Sequence, residues 1–318
     1  MQIPGGAHDE TLVFVFGALR SGTTVFRLML DAHPELNNPG EVDFLFDYLS
    51  RDPQHSSGWR YDTDKLAENR VFRASGLKIP EACDGLDLLR DFLAQYRSRG
   101  KSHLTLNIHR HLGRALEVLP ESRVIHLLRD PRDVSRSCIG MGWAGTLYHG
   151  VGQWCTTEEE WRRICDDLAP ERYIEVKFED LIAKTEDDLR RVCAFVGVTF
   201  DADMLSYHEN TTYNAPDPSL IEQWKRKSSQ RDVALVEGRV GERLRAGGYE
   251  PSGEPVYPGT LERTWLRIQN RTGVWKTAIR RYGFVLLFME KLSRRLGLEK
   301  MHTRYRNRMR AHDAETLK

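Results

Sequence analysis

The stretch Leu12-Val-Phe-Val-Phe-Gly17-Ala-Leu-Arg20-Ser-Gly22-Thr-Thr24-Val-Phe-Arg-Leu-Met-Leu30-Asp-Ala-His-Pro34 decides how this chain is read. Leu12–Phe16 is an unbroken apolar run of strand length, as expected of a strand covered on both faces. Gly17 and Gly22 bracket a short loop, and an amphipathic helical pattern runs from Thr23 to His33. A strand that turns through glycines into a helix N-terminus gathers backbone N–H groups at the positive end of a helix dipole. That arrangement binds phosphate-like anions.

The glycine spacing is the G-x-x-x-x-G of a phosphate loop, but Thr23-Thr24 stands where nucleotide triphosphatases carry Lys-Ser/Thr. The cation comes earlier, at Arg20. A second constellation, Val124-Ile-His-Leu-Leu-Arg129-Asp-Pro-Arg-Asp-Val-Ser-Arg-Ser137, is a buried strand ending at an arginine, then a proline turn and a hydroxyl-bearing helix. Arg129 and Ser137 can grip one phosphate between them through charge-assisted and hydroxyl hydrogen bonds. Further strands are predicted at Leu104–Ile108 and Tyr173–Phe178, and helices at Leu86–Tyr96, His111–Leu119 and Thr185–Val196. An irregular helical region is expected from Asp43 to Arg73. Strands alternating with helices predict a parallel sheet with ligand loops at its carboxyl edge.

At these two loops the chain resembles sulfotransferases that use 3′-phosphoadenosine 5′-phosphosulfate, and Arg20–Pro34 is closer to their protein-tyrosine and carbohydrate branch than to the small-phenol branch. The resemblance extends through Tyr173–Leu181 and the stretch from Trp224 to Tyr249. It implies an α/β, three-layer phosphate-loop fold with a central parallel sheet over residues 1–259, followed by a basic helical extension over 260–318. It also implies a donor cosubstrate and no metal. Arg20 would steady the bridging oxygen of the donor, Ser21, Gly22, Thr23 and Thr24 would hold the 5′-phosphate, and Arg129 with Ser137 the 3′-phosphate. Trp224, Lys225 and Lys227 would close over the nucleotide. Glu41, one of two glutamates expected there by resemblance, is the candidate base toward a hydroxyl acceptor; His33 is its rival and Asp43 a third choice. Asn107 stands where relatives carry a catalytic Lys, leaving Lys78, His109 or Arg110 as substitutes. Phe178 takes the place of a Tyr beside the nucleotide.

Alternatives from the residues alone are a Mg-ATP kinase, with Asp130 holding the metal, and a non-catalytic nucleotide-binding scaffold. The acceptor class read from the sequence is a saccharide, lipid or natural-product hydroxyl, with peptidyl tyrosine as a further alternative.

Charge is unevenly spread. Residues 260–318 hold 15 Lys and Arg against 5 Asp and Glu, leaving 32 against 41 in the remainder. Interleaved with Trp265, Ile268, Trp275 and Ile279, these cations predict an amphipathic segment that contacts a membrane surface peripherally, pairs two copies, or packs on its own domain. Nucleic acid is not an expected partner for a chain whose body is acidic. The five scattered cysteines fit a reducing compartment. The opening Met1-Gln-Ile-Pro-Gly-Gly has neither charged nor apolar leader character, so a cytoplasmic location is expected.

Overall fold

The computed structural model describes residues 12–98 and 100–316. The opening Met1–Gly6 segment lies outside the described residues.

Five parallel strands form the main sheet: β1 (Leu12–Phe16), β2 (Leu36–Asn37), β5 (His103–Ile108), β6 (Arg123–Leu128) and β7 (Tyr173–Lys177), in the order β2-β5-β1-β6-β7. Strands β3 (Leu49–Arg51) and β4 (Trp59–Tyr61) make a separate antiparallel hairpin. All five β1 residues are buried, and alternation divides them between two cores. Leu12, Phe14 and Phe16 join Leu104, Leu106 and Ile108 of β5 beneath the helix Gly85–Arg97. Val13 and Val15 face the other way, with Ile125 and Leu127 of β6, against α1 (Thr23–Ala32) and the helix Thr185–Val196. A sheet buried on both faces by helices is the three-layer arrangement expected of βαβ connectivity. Register sets Phe16 beside Ile108 on one side and His126 on the other, so the loops after β1, β5 and β6 leave one edge of the sheet together.

The region 43–73 departs from the expected helical reading. It contains a short helix Phe44–Asp47, the β3/β4 hairpin, and helices Thr63–Glu68 and Arg70–Ser75. The hairpin forms because Asp52 and Gly58 close its turn, Asp52 N donating to Gly58 O at 2.9 Å, while Trp59 and Tyr61 alternate inward. The strand at Tyr173 ends at Lys177, and Phe178 opens the next helix.

The chain forms two compact units: Met1–Asp130 with Gln153–Ile221, and Pro131–Gly152 with Glu222–Lys318. The basic segment after residue 260 thus belongs with residues 131–152 and 222–259 rather than standing alone. It is helical throughout, as Thr260–Tyr282, Phe284–Arg295 and Glu299–Thr316. No helix among the described residues is long and apolar enough to cross a membrane.

Candidate active site

The phosphate loop is built by close approach. A Cβ at Gly17 would lie 2.3 Å from Leu127 O, so only glycine lets β1 leave the sheet here. Arg20 adopts φ +75°, a left-handed conformation uncommon for a side-chain-bearing residue. Ser21 N donates to Ala18 O at 3.1 Å, tightening the turn. Gly22 caps α1 at φ +92°, and a Cβ there would meet the Phe178 ring at 2.1 Å. Ser21 is fully buried and its hydroxyl has no hydrogen-bond partner. A buried polar atom left without a partner is costly in a finished core. At the start of a helix, inside a glycine loop, it fits a phosphate oxygen.

Arg129 wires this loop to the end of β6. Its guanidinium lies 4.3 Å from the Phe178 ring centroid and donates to Arg20 O at 3.1 Å and Leu220 O at 2.9 Å. Trp154 Nε1 donates to Arg129 O at 3.0 Å. Phe178 therefore covers Gly22 and stacks on Arg129 at once, which accounts for a ring at this position without a hydroxyl.

Asn107 is fully buried on β5 and uses both ends of its amide. Nδ2 donates to Thr23 O at 3.1 Å, and Oδ1 accepts from Asn38 Nδ2 at 2.9 Å. Its backbone pairs with Glu41 as a parallel bridge, Val42 N donating to Asn107 O at 2.9 Å. The Glu41 loop is further set by Asp31, which accepts from Asn38 N at 3.0 Å, and by Gly40 at φ +100°. Glu41 itself is exposed. It lines a cleft of about 310 Å³ with Thr24, Arg27, Tyr96 and Tyr213.

Of the other proposed bases, His33 is consumed structurally. It is 1% exposed, donates from Nε2 to Thr199 O at 2.7 Å, and accepts from Glu35 N at Nδ1 (3.0 Å). Asp43 accepts from His109 N at 2.8 Å and from His109 Nδ1 at 3.0 Å, leaving Nε2 to face the Thr23 hydroxyl at 3.4 Å. Asp43 and His109 thus form a buried chain that ends on the phosphate loop. Arg110 is held by Asp47 through two hydrogen bonds of 2.7 and 2.5 Å. Burial alone would raise the Asp47 carboxyl; hydrogen bonds from His111 and Arg110 outweigh it and hold the group below its ordinary range. Lys78 is exposed, its backbone paired with the Gln95 side chain.

Sequence reasoning passed over Arg27. It sits one turn along α1 from Thr23, is half-buried in the cleft wall, and has no hydrogen-bond or ion-pair partner among the described residues. The available signal was its i+4 spacing from Thr23, which puts both on one helix face.

Ser137, Trp224, Lys225 and Lys227 belong to the second unit. Ser137 is half-buried in the helix Pro131–Gly140. Trp224 is 7% exposed beneath the Arg132 guanidinium, 3.8 Å from its ring centroid, and its backbone N–H donates to Asp133 Oδ1 at 2.8 Å. Arg132 also forms a buried 2.7 Å pair with Glu237. Lys225 reaches Glu222 at 2.6 Å and Lys227 reaches Gln223 at 3.3 Å. Trp224 and Lys225 border a cleft of about 560 Å³. Among the described residues no group of three or more His, Cys, Asp or Glu side chains is placed to hold a metal ion.

Comparison with known proteins follows the same lines. A family model described as the sulfotransferase family matches residues 13–202, more than half of the chain. A Caenorhabditis briggsae relative named as a protein-tyrosine sulfotransferase is 27% identical over 212 residues, 64% of this chain and 71% of that protein. The protein-tyrosine sulfotransferase of Drosophila melanogaster is 25% identical over 242 residues, 70% of this chain, but the match spans only 45% of the fly protein. The solved sulfotransferase domain of the Synechococcus PCC 7002 olefin synthase superposes with a TM-score of 0.52 at 20% identity, covering 76% of this chain and 98% of that domain. The fold, the phosphate loop that opens it and the family match agree: this chain belongs to the sulfotransferase family, and it is an enzyme of that kind.

Proposed function

We propose that the protein transfers a sulfuryl group from 3′-phosphoadenosine 5′-phosphosulfate to a hydroxyl acceptor bound in the cleft between Thr24 and Glu41. The observation that carries this reading is that one cleft is lined by a residue of the phosphate loop and by an exposed carboxylate, at the carboxyl edge of the sheet. The family assignment supplies the donor. In the transfer, the acceptor oxygen bonds to sulfur, the bond from sulfur to the bridging phosphate oxygen breaks, and the acceptor proton passes to Glu41. Arg20 stabilises the charge gathering on the departing 3′,5′-bisphosphate. Ser21, Thr23 and Thr24 hold the 5′-phosphate, and Arg129 takes the 3′-phosphate. Arg27 supplies the cation at the cleft wall that Asn107 does not.

The exposed Tyr213 at the cleft, together with the relatives' names, favours a phenolic hydroxyl such as a peptidyl tyrosine over a saccharide or lipid hydroxyl. Calorimetry with 3′-phosphoadenosine 5′-phosphate and, separately, ATP with Mg²⁺ tests the donor. Micromolar binding of the bisphosphate that weakens in Arg129→Ala supports the reading; preference for Mg-ATP overturns it. With tyrosyl peptides as acceptors, Glu41→Gln should suppress kcat and spare bisphosphate affinity. Full activity in that variant places the base elsewhere.

A further inference from the structure

We infer that the outward face of the helix Thr260–Tyr282 docks onto an anionic lipid bilayer. One face of this helix is a seam within its own unit, and the opposite face carries exposed apolar side chains. Leu266 is 5% exposed, and Asn270 Oδ1 accepts from Gly145 N at 2.7 Å. A Cβ on Gly273 would lie 2.6 Å from Gly145 Cα, and one on Gly142 would meet Thr277 Cγ2 at 2.9 Å. Residues 266, 270, 273 and 277 recur at helical spacing, so this face is the buried seam against residues 142–145.

At about 100° per residue, the opposite face carries Leu261, Trp265, Ile268 and Trp275. They are 89%, 58%, 48% and 38% exposed. Arg267 and Arg271 run along one side of that stripe, and Lys276 and Arg280 along the other. The next helix, Phe284–Arg295, adds exposed Phe284 and Phe288, and its Lys291 Nζ lies 4.7 Å from the Trp275 ring centroid. An apolar stripe with tryptophans, bordered on both sides by cations, matches a lipid interface: the rings enter the headgroup–acyl boundary and the cations meet anionic headgroups.

Charge selects this occupant over a second copy. Two-fold self-pairing would set the same cationic flanks against each other, from a segment holding 15 basic and 5 acidic residues. An anionic bilayer offers the complementary sign.

The test is flotation of the full chain with vesicles of phosphatidylcholine alone and of phosphatidylcholine mixed with phosphatidylglycerol. Binding should require the anionic lipid, shift tryptophan emission to the blue, and weaken as salt rises. The double variant Trp265→Ala/Ile268→Ala should lower the bound fraction by about tenfold or more, from the apolar area lost. Calorimetry with the bisphosphate on that variant verifies that it is folded and reads the donor site separately, so failure here is distinguishable from failure of the enzymatic assignment. Absence of vesicle binding, or equal binding by the variant, overturns the inference. So does a dimer in light scattering that the same variant dissolves, which would assign the stripe to a second copy. A vesicle-silent chain captured through this face by an acidic protein overturns it as well.

Discussion

Raising the pH should destabilise the sheet that carries the site, through one histidine. His126 lies in β6, 1% exposed, in register with Phe16, the last residue before the phosphate loop. Its Nδ1 donates to Glu175 at 3.0 Å, its Nε2 faces Glu158 at 3.2 Å, and its ring stacks on Trp161 with centroids 4.4 Å apart. Burial alone would push the imidazole down; the charge of Glu158, with hydrogen bonds to both carboxylates, outweighs it and raises the group from 6.5 to about 9. Glu175 is correspondingly drawn below its ordinary value, first by its hydrogen bond from His126. A folded-state value above the unfolded one means that the contribution is fully present below the unfolded value. It then declines as pH rises through the folded value. At about 1.4 kcal/mol per pH unit, the gap corresponds to roughly 3 kcal/mol, lost between pH 6.5 and 9. Urea denaturation of the wild type and of His126→Gln across that range measures it. Other groups titrate in both proteins, so the informative quantity is the difference: the wild type should lose stability with a slope that the variant lacks. Parallel slopes would refute a charged His126 in the folded state.

At the site itself, Arg20→Ala should raise the transfer barrier by about 2.7–4 kcal/mol while sparing bisphosphate binding. The Arg20 carbonyl that Arg129 grips survives the substitution, and unchanged turnover would remove Arg20 from the chemistry. Gly22→Ala forces a left-handed side-chain residue, costing about 1–2 kcal/mol, and drives the Phe178 ring aside; calorimetry should show lost bisphosphate affinity, and normal affinity would contradict the packing. Arg27→Ala should impair turnover or acceptor KM without altering bisphosphate binding, with partial recovery in Arg27→Lys; wild-type kinetics would make it a surface residue. Asn107→Ala should lower kcat more than it weakens donor affinity, since both ends of the lost amide are spent on joining two loops. An equal loss of both would instead indicate collapse of the donor loop.

How far the sequence carries can be judged element by element. The helix Thr185–Val196 was legible to the residue because a strong amphipathic pattern ends at Gly197, whose φ of +95° stops it. β1 and its loop were legible because an unbroken apolar run followed by two glycines has few other solutions. Residues 43–73 were opaque for the opposite reason. Every element there is six residues or shorter, too short for a period of 3.6 or 2 to emerge. β2 is only two residues long and is defined by its pairing to His103 and Leu104, a long-range fact with no local signature. His33 reads locally as a rival base. Its Nε2 instead reaches Thr199, 166 residues away, which no local reading anticipates. Arg27 was obscured by its own ordinariness, an arginine in a helix that also needs a polar face.

Asn107 illustrates what the missing lysine signifies. Read as a departure from relatives, it looks like lost chemistry. In the fold it is a fully buried amide with a donor spent on the first turn of α1 and an acceptor spent on the loop that presents Glu41. A lysine ammonium at this point could reproduce the donor but not the acceptor, and Asn38 Nδ2 would then face a cation. The side chain is therefore better matched to joining the two loops than to carrying charge. In the proposed in-line transfer the base, the sulfur and the leaving oxygen must share one alignment, so a short rigid link between the phosphate loop and the Glu41 loop would serve that geometry directly. The charge that such a link cannot carry has a separate source in the same cleft. Arg27 projects from α1, the helix whose first turn Asn107 grips, so the amide that links to the Glu41 loop also holds the helix that carries a cation to the cleft wall.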